Sequence, residues 1–152
     1  MKENFLSFEL SKKLHECGFT LKHPFAMYDE NGRFYALFTS ADKNKHNKSI
    51  FGNRDYYDYD DFDCNDIPAP TIEQALKWLR EEKKIYVITD SFPSYSTKSN
   101  VVWIYKLKYN SDGASINFNE SLVSFGSYEE ATTAGIEYAL NNLILPCSTD
   151  KE

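Results

Sequence analysis

The sequence predicts an α+β fold in which helices pack a mainly antiparallel sheet, and three observations point to it. Segments of helical period alternate with segments of period two. The strand-like segments come as neighbours with turn signals between them, as hairpins require. Two helix starts carry the Ser/Thr-x-x-Glu/Gln capping pattern. The expected order is α-β-β, a long loop, then α-β-β-(β)-α.

The first helix is expected over about residues 6–17, where Leu6, Leu10, Leu14 and Cys17 share one face. Gly18 supplies a left-handed stop after it. Residues 25–30 and 33–38 read as a hairpin about Asn31 and Gly32, a pair suited to a type I′ turn, with Glu30 and Arg33 placed to pair across it. Residues 40–70 have no period. They are expected to be an irregular segment whose lysines precede a run of aspartates and tyrosines, closed by Pro68 and Pro70. Thr71 and Gln74 form a capping box for a helix with the stripe Ile72, Ala75, Leu76 and Leu79. A strand over 85–89 follows, then a polar turn region from Asp90 to Asn100. In the next strand, 101–109, Val101, Trp103, Tyr105, Leu107 and Tyr109 fall on one face and Lys106 and Lys108 on the other. Residues 115–125 are expected to hold one or two short strands. Ser127 and Glu130 form the second capping box. Ala131, Gly135 and Ala139, four apart, let the last helix approach its neighbour closely, at a propensity cost for Gly135 of about 1 kcal/mol against Ala. Pro146 is expected to end that helix.

The chain has 152 residues, enough for one domain with a sizeable core. A single domain over 1–152 is the expectation, with a mobile tail at 146–152. Its 17 Lys+Arg against 23 Asp+Glu give a net charge of −6. That argues against a general polyanion binder, whose affinity comes from a basic surface. The odd set Cys17, Cys64 and Cys147 makes no C-x-x-C pair and no disulfide framework. Residues 1–14 carry Glu3 and Glu9 and no apolar core of a signal. No apolar run approaches the roughly 18 residues of a membrane span. A cytoplasmic location with reduced thiols is expected.

Among candidate sites the aspartate run stands out. Asp61-x-Asp63-x-Asn65 matches the first ligand positions of an EF-hand loop, but Asp66 takes the place of the required Gly and Ile72 that of the bidentate Glu. No metal site is assigned. The run reads either as a solvated loop or as a protein-binding patch of Tyr56, Tyr57, Asp58, Tyr59, Asp60, Asp61 and Asp63, since Tyr couples contact area to a hydroxyl. His15, His23 and His46 are dispersed, and no nucleophile, nucleotide or dinucleotide motif is present. No catalytic residue and no cofactor is assigned. Trp78, Trp103, Tyr105 and Tyr109 read as core in preference to a stacking platform.

The α-β-β-β-α order from Thr71 to Ile144, with its Ala-rich last helix, resembles the double-stranded-RNA-binding domain. The resemblance implies a topology. Where that family grips phosphates with lysines at the start of the last helix, this chain has Ser127, Tyr128, Glu129, Glu130 and Ala131. The segment A-P-T-x-x-x-A-x-x-W-L-R, here Ala69 to Arg80, and Y-E-E-A, here Tyr128 to Ala131, are similar to small uncharacterised proteins of bacterial prophages and mobile elements. That likeness covers about residues 5–20 and 67–145 and implies an origin, with no activity to carry over.

The functional expectation is therefore an accessory protein that meets a protein partner through its acidic and aromatic loop. Two alternatives stand beside it: nucleic-acid binding through the second half, and a small-molecule cleft near Trp78 and Trp103. Catalysis is the minority expectation, and no membrane partner is expected.

Overall fold

Side-chain caps decide where each helix starts. The computed structural model describes residues 4–21, 24–36, 65–95, 101–110 and 116–144. Its helices α1 (Phe8–Glu16), α2 (Ile72–Glu82) and α3 (Tyr128–Ala139) follow Ser7, Thr71 and Ser127. The side-chain oxygens of these three residues accept from the N–H groups of Leu10, Gln74 and Glu130. The strands are β1 (Ala26–Tyr28), β2 (Phe34–Ala36), β3 (Ile67–Pro68), β4 (Ile85–Pro93), β5 (Val101–Tyr109) and β6 (Asn117–Glu120). They form two antiparallel sheets of order β2-β1-β3 and β4-β5-β6, so the fold is α+β as expected. The chain gathers into two compact units, residues 5–70 and residues 71–152 with 1–4. Residues 40–64 and 145–152, with the expected loop, tail and Pro146, lie outside the described residues.

In the unit 5–70, α1 begins two residues later than the apolar stripe suggests, because Ser7 caps it. Its end is as expected. Gly18 takes φ +93, and Phe19 N–H reaches the Leu14 carbonyl at 2.9 Å while Gly18 N–H reaches that of His15 at 3.0 Å. This is a Schellman closure. The hairpin β1–β2 differs from expectation. Tyr28 pairs with Phe34, and the turn is a three-residue loop in which Gly32 N–H donates to the Asp29 carbonyl. Only Gly32 takes positive φ (+77); Asn31 does not. The reason is the Asp29 carboxylate, which accepts from the backbone N–H groups of Asn31 and Arg33 at 2.9 and 2.8 Å. That cap favours a type I turn with a following bulge over the two-residue type I′ turn. Glu30 consequently sits within the loop, and Asp29 takes the position opposite Arg33.

A Cβ at Gly32 would lie 2.9 Å from the Phe8 ring, so α1 rests directly on the turn. Phe5, Phe8 and Phe34 surround buried Tyr28, with ring centroids 5.3–5.6 Å apart in edge-on contacts. The Tyr28 hydroxyl donates to the Leu6 carbonyl at 2.7 Å, and its burial raises its pKa above 10.0. The third strand was not apparent as a strand from its residues. Ile67 and Pro68 pair with Tyr28 and Met27 at the edge of the sheet, a position that tolerates Pro.

The unit from Thr71 onward runs α2-β4-β5-β6-α3, a meander with a helix at each end. The Thr71–Gln74 capping box is complete, with both bonds made at 2.9 and 3.2 Å. Ile72, Ala75 and Leu79 are buried, while Leu76 is only half-buried. At the tight passage from α2 to β4, Lys84 takes φ +55, a conformation in which a Cβ is strained. The second capping box is half formed as expected. Glu130 N–H donates to Ser127 Oγ, but the Glu130 carboxylate reaches back to Gly126 N–H at 3.1 Å instead of that of Ser127.

Strand β4 runs past the expected turn at Asp90. Its nine residues all pair with β5, from Ile85 opposite Tyr109 to Pro93 opposite Val101. Paired residues share a face. One face therefore carries Val87, Thr89, Trp103, Tyr105, Leu107 and Asn119, and α3 packs on it, with α2 beside α3 and against β4. Gly135 makes this approach possible, since a Cβ there would lie 2.7 Å from Val87 Cγ1. Thr132 Oγ1 donates to the Tyr128 carbonyl at 2.7 Å, so its one proton is committed. The 2.7 Å contact with Thr89 Oγ1 must then have Thr89 as donor. Asn119 Nδ2 donates to the Tyr138 hydroxyl at 2.7 Å. Beyond α3 the chain continues as a wider π turn, Leu140–Ile144, with Leu140 fully buried.

Candidate interaction surface

The alternation that turns Trp103, Tyr105 and Leu107 toward the helices necessarily turns their neighbours the other way. The ladder places Tyr86, Lys108 and Phe118 in one row across β4, β5 and β6, and Ile88, Lys106 and Glu120 in the next. Two further rows pair Asp90 with Ile104 and Phe92 with Val102. Six of the ten positions on this outer face are apolar or aromatic, and four of those six are exposed. Tyr86, Ile88, Phe92 and Phe118 are 44, 47, 43 and 74% exposed. Val102 and Ile104, on the central strand, are half-buried between them. Exposed apolar side chains grouped on one face of a folded unit point to an interaction site, whereas singly scattered ones do not.

The four charges of the outer face balance, Lys106 and Lys108 against Asp90 and Glu120. Lys106 Nζ lies 3.1 Å from Asp90 Oδ2 and 5.6 Å from the centre of the Phe92 ring. The Asp90 carboxyl is held below its ordinary 3.8 by the Lys106 hydrogen bond first, and next by the Ser91 N–H that donates to Oδ1 at 2.9 Å. Because the folded value lies below the unfolded one, the pairing is fully present above pH 3.8 and is lost as pH falls through the folded value. Lys106→Gln should return the Asp90 carboxyl toward 3.8, read by an NMR titration of that side chain. An unmoved titration would show that Lys106 does not hold the carboxylate. Lys108, between Tyr86 and Phe118, has no ion pair among the described residues.

At the far edge, β6 ends in a bulge. Ser121 bonds to Tyr105 and Phe125 bonds to Trp103, so residues 122–124 loop out and leave Leu122 and Val123 exposed. On the helix side, an open depression of about 430 Å³ is lined by Phe125, Glu129, Glu130, Thr133, Ala134 and Glu137. Neither Trp78 nor Trp103 lines it. Trp103 stands edge-on to Tyr128 at 5.7 Å, and Lys83 lies 5.1 Å over the Trp78 ring. Burial, and then the neighbouring Tyr138, raise the Tyr105 pKa above 10.0.

Of the residues expected to form a site, Tyr56, Tyr57, Asp58, Tyr59, Asp60, Asp61 and Asp63 lie outside the described residues. Asp66, at the end of that run, is described, and its carboxylate accepts from the Tyr35 hydroxyl. Among the described residues no group of three or more His, Cys, Asp or Glu is placed to hold a metal ion, and no helix is long and apolar enough to cross a membrane. Sequence reasoning missed the outer face because both faces of β4 mix apolar and polar residues. Tyr86, Ile88 and Phe92 alternate with Val87, Thr89 and Ser91, and period alone does not say which set a helix covers. No family model, no curated protein and no solved structure matches the chain.

Proposed function

We propose that the protein is an interaction protein whose outer sheet face binds another polypeptide. That polypeptide would present an apolar patch with a carboxylate for Lys108. The observation that carries this reading is the uncovered set Tyr86, Ile88, Phe92 and Phe118 on a sheet whose opposite face is packed. The charge balance favours a polypeptide over nucleic acid. Phosphate recognition needs a basic excess, and here two lysines face two acids in a chain of net charge −6. Lys106 is moreover engaged by Asp90, whereas Lys108 makes no ion pair among the described residues and can meet a partner's acid. Aromatic side chains flanking it supply contact area at little entropic cost.

A photo-crosslinking residue in place of Phe118, in the cells that naturally make the chain, tests this. The expected result is a nuclease-resistant adduct with one polypeptide other than the chain itself, reproduced with the two purified proteins. Lys108→Glu should cut the adduct yield severalfold while leaving the melting temperature unchanged, as surface substitutions normally do. An adduct with nucleic acid, no adduct, or a yield indifferent to Lys108→Glu would overturn the reading.

A further inference from the structure

The two edges of the sheet β4-β5-β6 are not alike. The β6 edge is four residues long and is broken by the bulge at 122–124, a device that blunts pairing. The β4 edge is nine residues long and pairs with β5 without interruption. About half of those residues direct both backbone groups away from β5, and among the described residues no backbone group meets them. Toward its free end the strand is open to solvent, with Ser91, Phe92 and Pro93 all exposed. Its one charge, Asp90, is already neutralised by Lys106, and its one proline, Pro93, stands at the end where it does not interrupt a ladder.

We propose that the occupant of this edge is a second copy of the chain, its β4 lying antiparallel to the first about Thr89. Three features of the strand select that partner and that register. Thr89 is the central residue of Ile85–Pro93, so pairing about it sets all nine positions opposite one another, with Pro93, which has no N–H to donate, falling at the ends. Tyr86 and Phe92 stand three positions to either side of it, so each Tyr86 faces the partner's Phe92 and the aromatic pair is made twice. Pairing about Asp90 instead would set two carboxylates directly opposite one another; about Thr89, Asp90 faces the partner's Ile88 and keeps its Lys106. The symmetry is isologous, as closed dimers require. A two-fold axis perpendicular to the sheet keeps both outer faces on one side. The product is a six-stranded sheet with one continuous aromatic strip. Aromatic placement symmetric about a strand centre has no use in pairing with an unrelated peptide, which is why the second copy is preferred.

This inference rests on the β4 edge and stands or falls apart from the partner of the outer face, whose test uses Phe118 and Lys108 on the other strands. Sedimentation equilibrium of the full chain across micromolar concentrations should give twice the monomer mass. Phe92→Glu should raise the dissociation constant by roughly tenfold or more, because two cross-strand pairs are lost per dimer. Tyr86→Lys should do the same. The two together in one chain should restore the dimer, since each new cation then faces the partner's new anion. Circular dichroism melts of the same variants establish that the fold is retained. A monomer at all concentrations, a dimer indifferent to both single substitutions, or a double variant no tighter than either single would each overturn the proposal.

Discussion

Leu107→Ala is expected to destabilise the unit that starts at Thr71 by about 2–5 kcal/mol, the range for truncating a fully buried leucine. Leu107 is 0% exposed. It sits on the central strand, opposite Val87 on one side and Asn119 on the other, on the face that α3 covers. Removing its branch leaves a void with neighbours on every side, and the surrounding ladder restricts collapse into it. For a unit of this size the loss corresponds to a fall in melting temperature of roughly 10–30 °C. Phe118→Ser is the contrasting case. It removes a larger side chain, but one that is 74% exposed on the outer face, and it should change stability by about 0.5 kcal/mol or less. Thermal unfolding followed by circular dichroism distinguishes the two. Equal losses for both variants would mean that the assignment of inner and outer faces is wrong.

Gly135→Val should be at least as damaging, for the opposite physical reason. The first carbon added at Gly135 would lie 2.7 Å from Val87 Cγ1 and 3.1 Å from Tyr105 Cβ and Cγ. Val87 is β-branched and stiff about χ1, so its methyl does not simply swing away. Ala at this position gains about 1 kcal/mol of helix propensity and meets an overpacking cost of about 1–3 kcal/mol. Val forfeits most of the propensity gain and adds two more methyl carbons to the clash. The expected sequence of melting temperatures is wild type, then Gly135→Ala, then Gly135→Val, the last losing about 3 kcal/mol or more. Val87→Ala should partly rescue Gly135→Ala, because it removes the atom the new Cβ strikes. The two sites touch, so their effects should fail to add by about 0.5–3 kcal/mol. Additive effects in this cycle would show that α3 does not approach β4 at Gly135.

The caps of α2 and α3 and the stop of α1 are legible because each is a local transaction. Thr71 and Ser127 satisfy N–H groups three residues away, and Gly18 supplies the backbone angle that closes α1, whereas the Ser7 cap is hidden by the apolar stripe that begins at Leu6. The face of β5 that carries Trp103, Tyr105 and Leu107 was legible too, because its other face bears Lys106 and Lys108. The hairpin was legible in place but not in turn type. The choice lay with the Asp29 carboxylate, which captures two backbone donors across the loop. The length of β4 was misread because Asp90 and Ser91 have turn-like composition. Lys106 and the β5 ladder hold them in the strand. Of the candidate surface, the sequence named only the two lysines of the outer face.

What the residues determined alone rests on neighbours within a few positions: the helices and the longer strands, the caps of α2 and α3, the stop of α1 and the interior face of β5. Short-range hydrogen bonds and side-chain period are properties of a segment, and they survive being read one segment at a time. The tertiary structure decided which face of β4 a helix covers, where Ile67 and Pro68 pair, and which sheet edge has no neighbouring strand among the described residues. Each of those outcomes compares surfaces brought together from distant parts of the chain. Gly135, four residues from Ala131 and from Ala139, announces close approach, but only the folded chain shows that Val87 and Tyr105 are what it approaches.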